Sequence, residues 1–369
     1  MSYYKENKGS NRVRGTRKVH DNLVSEVVII GKTDRARFLA ELAEKASTKC
    51  TLLHCDNRQC DSDDTGFRWT NDFELIRNKP FVLYACCRSE LDSMLEHSAP
   101  CLSGDQMIFH CVSGLSSDER GLQTPSQRIM ELTCVKRIAV LWGYCPEAPN
   151  VTEQPSAWAV SSPFHEGITA ANKLFTSTVF RLYENEDVPG TEVGAALVPA
   201  YALACGVACG LGYEAPAIGL LVTRAVAEMA RLGAVMGGDP ATFSGLSGLG
   251  ALVGEGVAQS SAFFTLGKDL ASGDCSFDSI ETGSVAGNED RISMFNTVAE
   301  VTRFVRRNSI PMPLLCAVEA LLAEKKSPEK IARDLLSMEV GREKDFSVNP
   351  GALELPLPAV APRGGPGKL

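Results

Sequence analysis

Short apolar runs alternate with amphipathic stretches along the first half of the chain. The stretch from Arg35 to Ala46 has Phe38, Leu39 and Leu42 at helical spacing, which predicts a helix after the first apolar run. The runs themselves are rich in β-branched and aromatic residues, which is typical of buried strands, and they cover residues 26–31, 50–56, 80–86, 107–112 and 137–142. This alternation predicts an α/β Rossmann-like doubly wound N-terminal domain. The Pro- and Ser-rich segment 148–163 is predicted as a loop that crosses the sheet edge.

The pattern changes near residue 186. From Thr191 onward the chain is rich in Ala, Gly and Leu at helical spacing, which predicts an all-α C-terminal domain. The stretch from Gly194 to Gly212 has no charged residue and on length alone matches a membrane span. Its small residues, Pro199 and the charged helical pattern that follows favour a buried helix that packs closely on its neighbours.

Four segments are therefore predicted. A polar basic tail covers residues 1–22, a Rossmann-like domain 23–186, a helical domain 187–340, and a Pro/Gly-rich tail 341–369. The first tail is a solvated segment, a docking arm or the remnant of an organelle targeting segment. The last tail contains 353–360, which combines apolar side chains with prolines and is either free or bound as extended peptide in a partner's groove.

Charge and cysteine content narrow the possible functions. The formal net charge of -8 and the pI of about 5.3 argue against non-specific binding to nucleic acid or an anionic membrane. The 13 cysteines include no CxxC pair, so no zinc ribbon or thioredoxin-like site is indicated. Free thiols and the absence of a secretory signal predict an intracellular protein, cytoplasmic or organellar.

The first strand, turn and helix have the outline of a dinucleotide-binding unit. Gly31 ends the strand, Ala36 is acceptable at the third position of the glycine fingerprint, and Asp56 is placed as a ribose-binding acid. The second glycine position, however, is Thr33, whose Cβ takes the space of the phosphates, and Asp34 adds a negative charge. We expect cofactor binding to be weak or lost.

Other candidate sites are weaker. Lys32 and Arg35 offer positive charge for an unusual phosphate site. The run 245–256 is glycine-rich but lacks the lysine of a P-loop, so a helix-packing turn is predicted. The five histidines show no metal spacing. Cys205 and Cys209 are interpreted as buried thiols, and the pair at 86–87 as an altered pocket wall with no histidine or acid nearby.

The residues after 190 carry a family resemblance. Segments 190–197, 202–213, 221–233 and 237–250 resemble the NAD-dependent glycerol-3-phosphate dehydrogenase family, as do 310–313 and 329–336. The resemblance is strong over 190–250 and weak in the nucleotide domain. Members of that family reduce dihydroxyacetone phosphate to glycerol 3-phosphate with NADH or NADPH. The resemblance therefore implies NAD or NADP as the possible cofactor and a homodimer or another protein partner.

The positions at which that family contacts its ligands are substituted here. The resemblance implies that the catalytic lysine position is Val198, the aspartate position is Ala251, the phosphate-binding Arg-Asn positions are Ala262 and Phe263, a second lysine position is Ser113, and the cofactor-contacting acid position is Ala286. The flanking Gly and Leu residues stay in register. The family's chemistry needs a cation at the developing alkoxide and a guanidinium on the phosphate. We therefore expect no catalytic and no substrate-binding residue.

Two functional hypotheses follow from these residues. The first is a catalytically inactive pseudoenzyme of the dehydrogenase family with a structural, scaffold or regulatory role. The alternative is an active NAD(P)-dependent oxidoreductase that interconverts dihydroxyacetone phosphate and glycerol 3-phosphate, or acts on a related substrate. They differ in whether a cation such as Lys32 or Arg35 lines an open nucleotide cleft, or whether Arg35, Cys86 or Phe263 blocks it.

Overall fold

The computed structural model describes residues 26–55, 69–145, 155–257, 261–275 and 288–336. The tails predicted at the two ends of the chain lie outside these residues. The same holds for Asp56 and Ala286, so the structure gives no position for the candidate ribose-binding acid or the candidate cofactor contact.

An eight-stranded sheet forms the first part of the molecule. Its strand order is β10-β9-β8-β5-β4-β1-β2-β3, and all neighbours are parallel except β8 and β9. The strands are β1 Glu26–Ile30, β2 Lys49–Leu53, β3 Trp69–Thr70, β4 Phe81–Tyr84, β5 Met107–His110, β8 Ile138–Trp142, β9 Ser156–Ser161 and β10 Phe180–Asn185. A separate hairpin pairs β6 Ser116–Asp118 with β7 Gly121–Gln123.

Helices cover both faces of this sheet. They are α1 Asp34–Lys45, α2 Arg88–Ser98, α3 Pro125–Leu132 and α4 His165–Phe175. One apolar cluster joins α1 and α4 to one face, and a second joins α2 and α3 to the other. The near-continuous burial of β1, β4, β5 and β8 follows from this two-sided cover. The prediction of a doubly wound Rossmann-like domain is confirmed.

The prediction of a loop over 148–163 is wrong for its second half. Residues Ser156–Ser161 form β9, which pairs antiparallel with β8 and parallel with β10. Trp158 is fully buried on this strand and packs against Phe38 and Phe180. Pro155 and Pro163 flank the strand, and these turn-forming residues outweighed its short apolar core in the sequence pattern.

A helical part follows β10, as predicted. It contains α5 Val188–Gly210, α6 Ala215–Val235, α7 Ala251–Gly256, α8 Ala262–Ser272, α9 Asn288–Arg307, α10 Pro313–Leu322 and α11 Pro328–Leu336. One apolar cluster unites them around α5. The glycine-rich run becomes a π-helical turn, Leu246–Gly250, followed by α7. At this turn the backbone of Ser247 lies against Gly194 of α5, so the run acts in helix packing.

Helix α5 is buried, as the sequence analysis predicted. In the described part of the chain it is the one helix that is long and apolar enough to cross a membrane, and 83% of its most apolar window lies inside the protein. A side chain at Gly206 would collide with the Phe264 carbonyl, and one at Gly267 with the Leu203 carbonyl. The two glycines therefore let α5 and α8 pack backbone to backbone.

Candidate functional site

The candidate site is the crevice at the carboxyl ends of the central strands. In open parallel sheets, ligands bind there, where the strand order reverses, and here the reversal lies between β1 and β4. The loops after β1, β4, β5 and β8 converge on this edge. Helices α5, α7 and α9 of the helical part face these loops and close the other side of the crevice through the contacts described below.

Gly31 ends β1 in a conformation that glycine favours. Its φ is +130°, and a Cβ there would collide with the Ala85 carbonyl. The Gly31 carbonyl accepts a hydrogen bond of 3.0 Å from the Trp69 indole. Ala36 is fully buried where α1 packs on the sheet. The structure thus brings Gly31 and Ala36 together at the first βα turn.

Thr33 occupies the remainder of this turn. Its hydroxyl is the N-cap of α1 and accepts a 3.3 Å hydrogen bond from the Ala36 amide. The same hydroxyl donates a 2.7 Å hydrogen bond to the Ala85 carbonyl on the loop after β4. Asp34 follows as an exposed acid in the first turn of the helix. One helix amide that would otherwise face an anion is therefore already bonded within the chain.

Arg35 extends from α1 across the crevice. Its guanidinium carbon lies 4.4 Å from the centre of the Trp142 ring at the end of β8. Its Nη2 atom lies 3.5 Å from Oε1 of Glu255 on α7, and the exposed fractions of the two side chains are 11% and 5%. Arg35 therefore links the first βα turn to the helical part through a buried ion pair.

The positive charge of Arg35 and the ionisable groups around it influence one another's pKa values. Burial acts against the charged form, but the Glu255 carboxylate, helped by Asp290, holds the pKa of Arg35 above its ordinary value. Burial raises the pKa of the Cys111 thiol to about 12, although Arg35 opposes that shift. Burial likewise raises the pKa of Asp290 on α9, again against Arg35. The cluster therefore holds one cation and its acids, with Cys111 kept as a neutral thiol.

Four residues that the resemblance assigns to the family's catalytic and substrate-binding positions lie in apolar surroundings. Val198 on α5 is fully buried, and Ala251 and Phe263 are 1% and 8% exposed within the same apolar cluster. Ala262 is half-buried at the start of α8, where Ser261 is the N-cap. None of these four side chains carries a charge or a proton for transfer, so these positions offer packing alone.

Ser113, which the resemblance assigns to the second lysine position, joins the two parts of the molecule. Its hydroxyl donates a 2.7 Å hydrogen bond to the Ala195 carbonyl of α5. The next residue, Gly114, has a φ of +121°, and a Cβ there would lie 2.7 Å from the Thr297 hydroxyl and 2.9 Å from the Arg88 Cβ. The loop after β5 is therefore packed against α2 and α9, with a serine hydroxyl used in an internal contact.

A buried polar cluster that sequence reasoning missed lies behind this loop. His110 Nε2 is 2.9 Å from the Ser126 hydroxyl and 3.3 Å from Glu192 Oε1. The same carboxylate oxygen accepts a 2.7 Å hydrogen bond from the Ser126 amide. All three residues are at most 1% exposed. They come from β5, α3 and α5, and their separation in the chain leaves no motif from which the contact could be read.

The cysteine pair after β4 has neighbours that the sequence analysis did not expect. Cys87 Sγ lies 3.0 Å from Glu90 Oε2, and Glu90 Oε1 lies 3.5 Å from His54 Nε2, so the expectation that no histidine or acid is nearby is wrong. Burial, and then the bond to Glu90, raises the pKa of the Cys87 thiol. Burial also raises the pKa of Cys86. Both groups therefore remain thiols, which fits a pocket wall better than a nucleophile.

The remaining cysteine pair that the sequence singled out lies on α5. Cys205 is buried and Cys209 half-buried on α5, and burial raises the pKa of Cys205 to about 12. In the described ranges, no group of three or more histidine, cysteine or acidic residues is arranged to hold a metal ion.

Comparison with known proteins relates this chain to glycerol-3-phosphate dehydrogenases. A family model described as NAD-dependent glycerol-3-phosphate dehydrogenase C-terminus matches residues 187–333. A glycerol-3-phosphate dehydrogenase (NAD(P)+) of Geobacter metallireducens is 30% identical over 308 residues, which cover 82% of this chain and 89% of that enzyme. The enzyme of the same name from Frankia casuarinae is 31% identical over 274 residues, 73% of this chain and 79% of that protein.

Solved structures agree in fold. Glycerol-3-phosphate dehydrogenase from Coxiella burnetii superposes with a TM-score of 0.75 at 21% identity and covers 85% of this chain and 99% of that one. The enzyme from Saccharomyces cerevisiae gives a TM-score of 0.68 at 16% identity, with 85% and 99% covered. Because the match to the Geobacter enzyme at 30% identity extends over 82% of this chain and 89% of that enzyme, the chain belongs to the NAD(P)-dependent glycerol-3-phosphate dehydrogenase family.

Proposed function

We propose that this chain is a catalytically inactive member of its family that uses the dehydrogenase fold as a scaffold for a protein partner or a second copy of itself. The observation that carries the proposal is the position of Arg35. Its guanidinium stacks on Trp142 and pairs with Glu255 in the crevice that would admit a dinucleotide. A side chain that joins the two walls of a crevice competes with any ligand for that space.

The first βα turn does not fit the pyrophosphate of a dinucleotide bound in the usual way. That mode needs a close backbone approach and free amides at the helix N-terminus. Here the Thr33 side chain lies where the backbone would have to approach the phosphates. Its hydroxyl also accepts the hydrogen bond of the Ala36 amide. Asp34 adds a negative charge beside a ligand that is itself an anion. We therefore derive no hydride-transfer step for this chain.

The substrate side of the crevice supports the same proposal. Reduction of a ketone needs a charged donor at the carbonyl oxygen, and loss of one such donor typically costs about 3 kcal/mol of transition-state stabilisation, or roughly a hundredfold in rate. The implied lysine position, Val198, is fully buried and apolar. The implied phosphate positions, Ala262 and Phe263, provide no guanidinium. Losses at both ends of the substrate compound each other.

The state of the cysteines supports an intracellular location. The twelve cysteines in the described ranges are all free thiols, and most are buried or half-buried. Free thiols in this number are typical of a reducing compartment.

The test is cofactor titration of the full chain followed by an activity assay. NADH and NADPH are titrated by calorimetry to millimolar concentrations, and turnover is then measured with dihydroxyacetone phosphate. The Geobacter metallireducens enzyme serves as the positive control. We expect no saturable binding and no turnover by this chain. Turnover would overturn the proposal and favour the active-oxidoreductase alternative, with Lys32 or Arg35 as a replacement phosphate contact.

A triple variant tests whether cofactor binding is blocked by side chains, independently of whether the catalytic residues are missing. Thr33→Gly combined with Arg35→Ala and Glu255→Ala clears the turn and removes both members of the buried pair together, which leaves neither charge without its partner. We expect this variant to bind NADH more tightly than the native chain and still to show no turnover. Arg37→Ala, a change on the exposed side of the same helix, is the control and should leave cofactor binding unchanged.

A further inference from the structure

An apolar groove on the helical part lies away from the crevice described above. It is formed by the C-terminal half of α5, the N-terminal half of α6, and α10 and α11, and its cavity volume is about 100 Å³. Apolar side chains make up nearly all of its wall, and Tyr213 and Leu220 at its rim are 40% and 41% exposed. A concave apolar surface with exposed apolar side chains at its rim is typical of a site that docks an apolar segment.

One positive charge interrupts this apolar wall. Arg224 on α6 is the one charged residue among the described residues that line the groove. The groove therefore favours an occupant that presents apolar side chains with an acid among them. It does not favour an occupant that is apolar throughout or strongly charged.

The chain itself carries a segment of this kind beyond the last helix that lines the groove. Leu335 on α11 lines the groove, and the described chain ends one residue later. Sixteen residues, 337–352, then lead to the segment 353–360, Leu-Glu-Leu-Pro-Leu-Pro-Ala-Val. Glu354 is its one charged residue and lies between two leucines. Its prolines favour extended backbone, which places side chains along a groove at little cost in conformational entropy.

The length of the connection favours docking within one chain. A connection of 16 residues spans at most about 55 Å, so the segment that follows it stays within reach of the groove. A tether of this kind gives millimolar effective concentration at the site, which makes even a weak contact largely formed. We propose that residues 353–360 dock in the groove of their own chain, with the leucines on its apolar wall and Glu354 beside Arg224.

The test uses the full chain and a labelled peptide. A fluorescein-labelled peptide of residues 351–362 is added to the native chain and to a full-chain variant, Leu353→Ser/Leu355→Ser/Leu357→Ser, and binding is followed by anisotropy. The variant should bind the peptide at least tenfold more tightly than the native chain, because the native tail competes for the groove. Equal binding to both proteins, or no binding to the variant, would overturn the proposal.

A charge reversal tests the predicted pairing. In the triple-serine background, Arg224→Glu should weaken binding of the native peptide about tenfold, and a peptide with Glu354→Arg should restore it. The Glu354→Arg peptide on the unaltered groove should also bind about tenfold more weakly, and this arm needs no change in the folded protein. If peptide binding changes with neither charge reversal, the pairing of Glu354 with Arg224 is contradicted.

Sedimentation velocity over a range of concentrations separates the two ways in which the tail could dock. We expect the native chain and the triple-serine variant to show the same oligomeric state. A dimer that the three serine substitutions abolish would show that the tail crosses to a second copy, and would overturn docking within one chain.

Discussion

At the scale of single residues, a buried carboxylate organises the start of helix α10. Both Glu228 oxygens accept backbone hydrogen bonds there, from Leu314 at 2.7 Å and from Leu315 at 3.0 Å, and the Tyr201 hydroxyl donates a further bond of 2.8 Å. Burial raises the pKa of Glu228 to about 7, although these three hydrogen bonds and nearby Arg231 favour the charged form. A carboxyl group with such a pKa links stability to pH near neutrality.

Glu228 predicts a specific pH dependence of stability. Its pKa is raised on folding, so the folded state holds its proton longer, and the stabilisation is complete below about pH 4.5 and is lost as the pH rises through 7. The shift corresponds to about 3 kcal/mol over that interval. Urea unfolding of the native chain and of Glu228→Gln from pH 5 to 8 measures this directly. The stability of the native chain relative to the variant should fall as the pH rises.

The comparison with glutamine removes the contribution of other titrating groups, since both proteins carry them. A difference between native chain and variant that is flat over this range, or that grows with pH, would contradict the assignment. Glu228→Ala should be less stable than Glu228→Gln at every pH, because it leaves two backbone amides and the Tyr201 hydroxyl without an acceptor.

Arg35 gives the second prediction at this scale. Arg35→Met removes the cation and leaves Glu255 and Asp290 as acids in a buried cluster. Breaking one side of a buried ion pair typically costs about 3–5 kcal/mol, and we expect a loss in this range on urea unfolding. Adding Glu255→Gln should recover part of it, because a neutral side chain then replaces the buried carboxylate that Arg35 neutralised.

The control for this change lies two residues away on the same helix. Arg37 pairs with Asp34 at 2.8 Å, with exposed fractions of 31% and 63%. Arg37→Met should cost less than about 1 kcal/mol, since surface pairs contribute little. If Arg35→Met and Arg37→Met lower the free energy of unfolding equally, the buried Arg35 pair stabilises the protein no more than the surface pair does.

At the scale of elements, the periodicity of the chain predicted most of the architecture. The strands β1, β2, β4, β5 and β8 and the helix α1 follow from local patterns of burial, because two-sided cover leaves long apolar runs. Strand β9 was missed because its six residues lie among prolines and serines, and its burial arises from Phe38 and Phe180, which are distant in the chain. Tertiary contact, rather than local propensity, makes it a strand.

The crossing of α5 and α8 supplies the prediction at this scale. Gly206→Ala places a methyl group on the Phe264 carbonyl and should separate the helices, at a cost of about 3 kcal/mol by thermal or urea unfolding. Gly219→Ala on α6 is the matched control, because a Cβ there meets nothing within 4 Å. That change should be neutral or stabilise the protein by up to about 1 kcal/mol. Similar losses in both variants would contradict backbone contact as the reason for Gly206.

At the scale of the whole molecule, the candidate site lies where the two parts of the chain meet. The Thr33 turn could be predicted from the sequence, since it depends on residue type and spacing, and the family positions stay a prediction from the resemblance. Local reasoning could not find Arg35 on Trp142, or Glu192 beside His110, because each contact joins residues far apart in the sequence. The site is therefore a product of how the helical part docks on the sheet, and its chemistry depends on that docking.

This docking predicts a single cooperative unfolding transition. Polar contacts join the two parts at several points, including Glu192 with the Ser126 amide and Ser113 with the Ala195 carbonyl. All three tryptophans, Trp69, Trp142 and Trp158, belong to the sheet part, whereas most of the helix lies in the other. Tryptophan fluorescence and far-ultraviolet circular dichroism therefore report on different parts, and we expect their thermal transitions to coincide.

Glu192→Ala should separate these transitions. It removes the acceptor of the buried Ser126 amide and one partner of His110, which weakens docking by about 1–3 kcal/mol while leaving each apolar core intact. The control is Ser113→Ala, which deletes one hydrogen bond and should lower both transitions together by about 1 kcal/mol. Separate transitions in the native chain would contradict cooperative unfolding of the two parts. Coincident transitions in Glu192→Ala would show that the apolar contacts between the parts, and not this buried polar cluster, control their cooperativity.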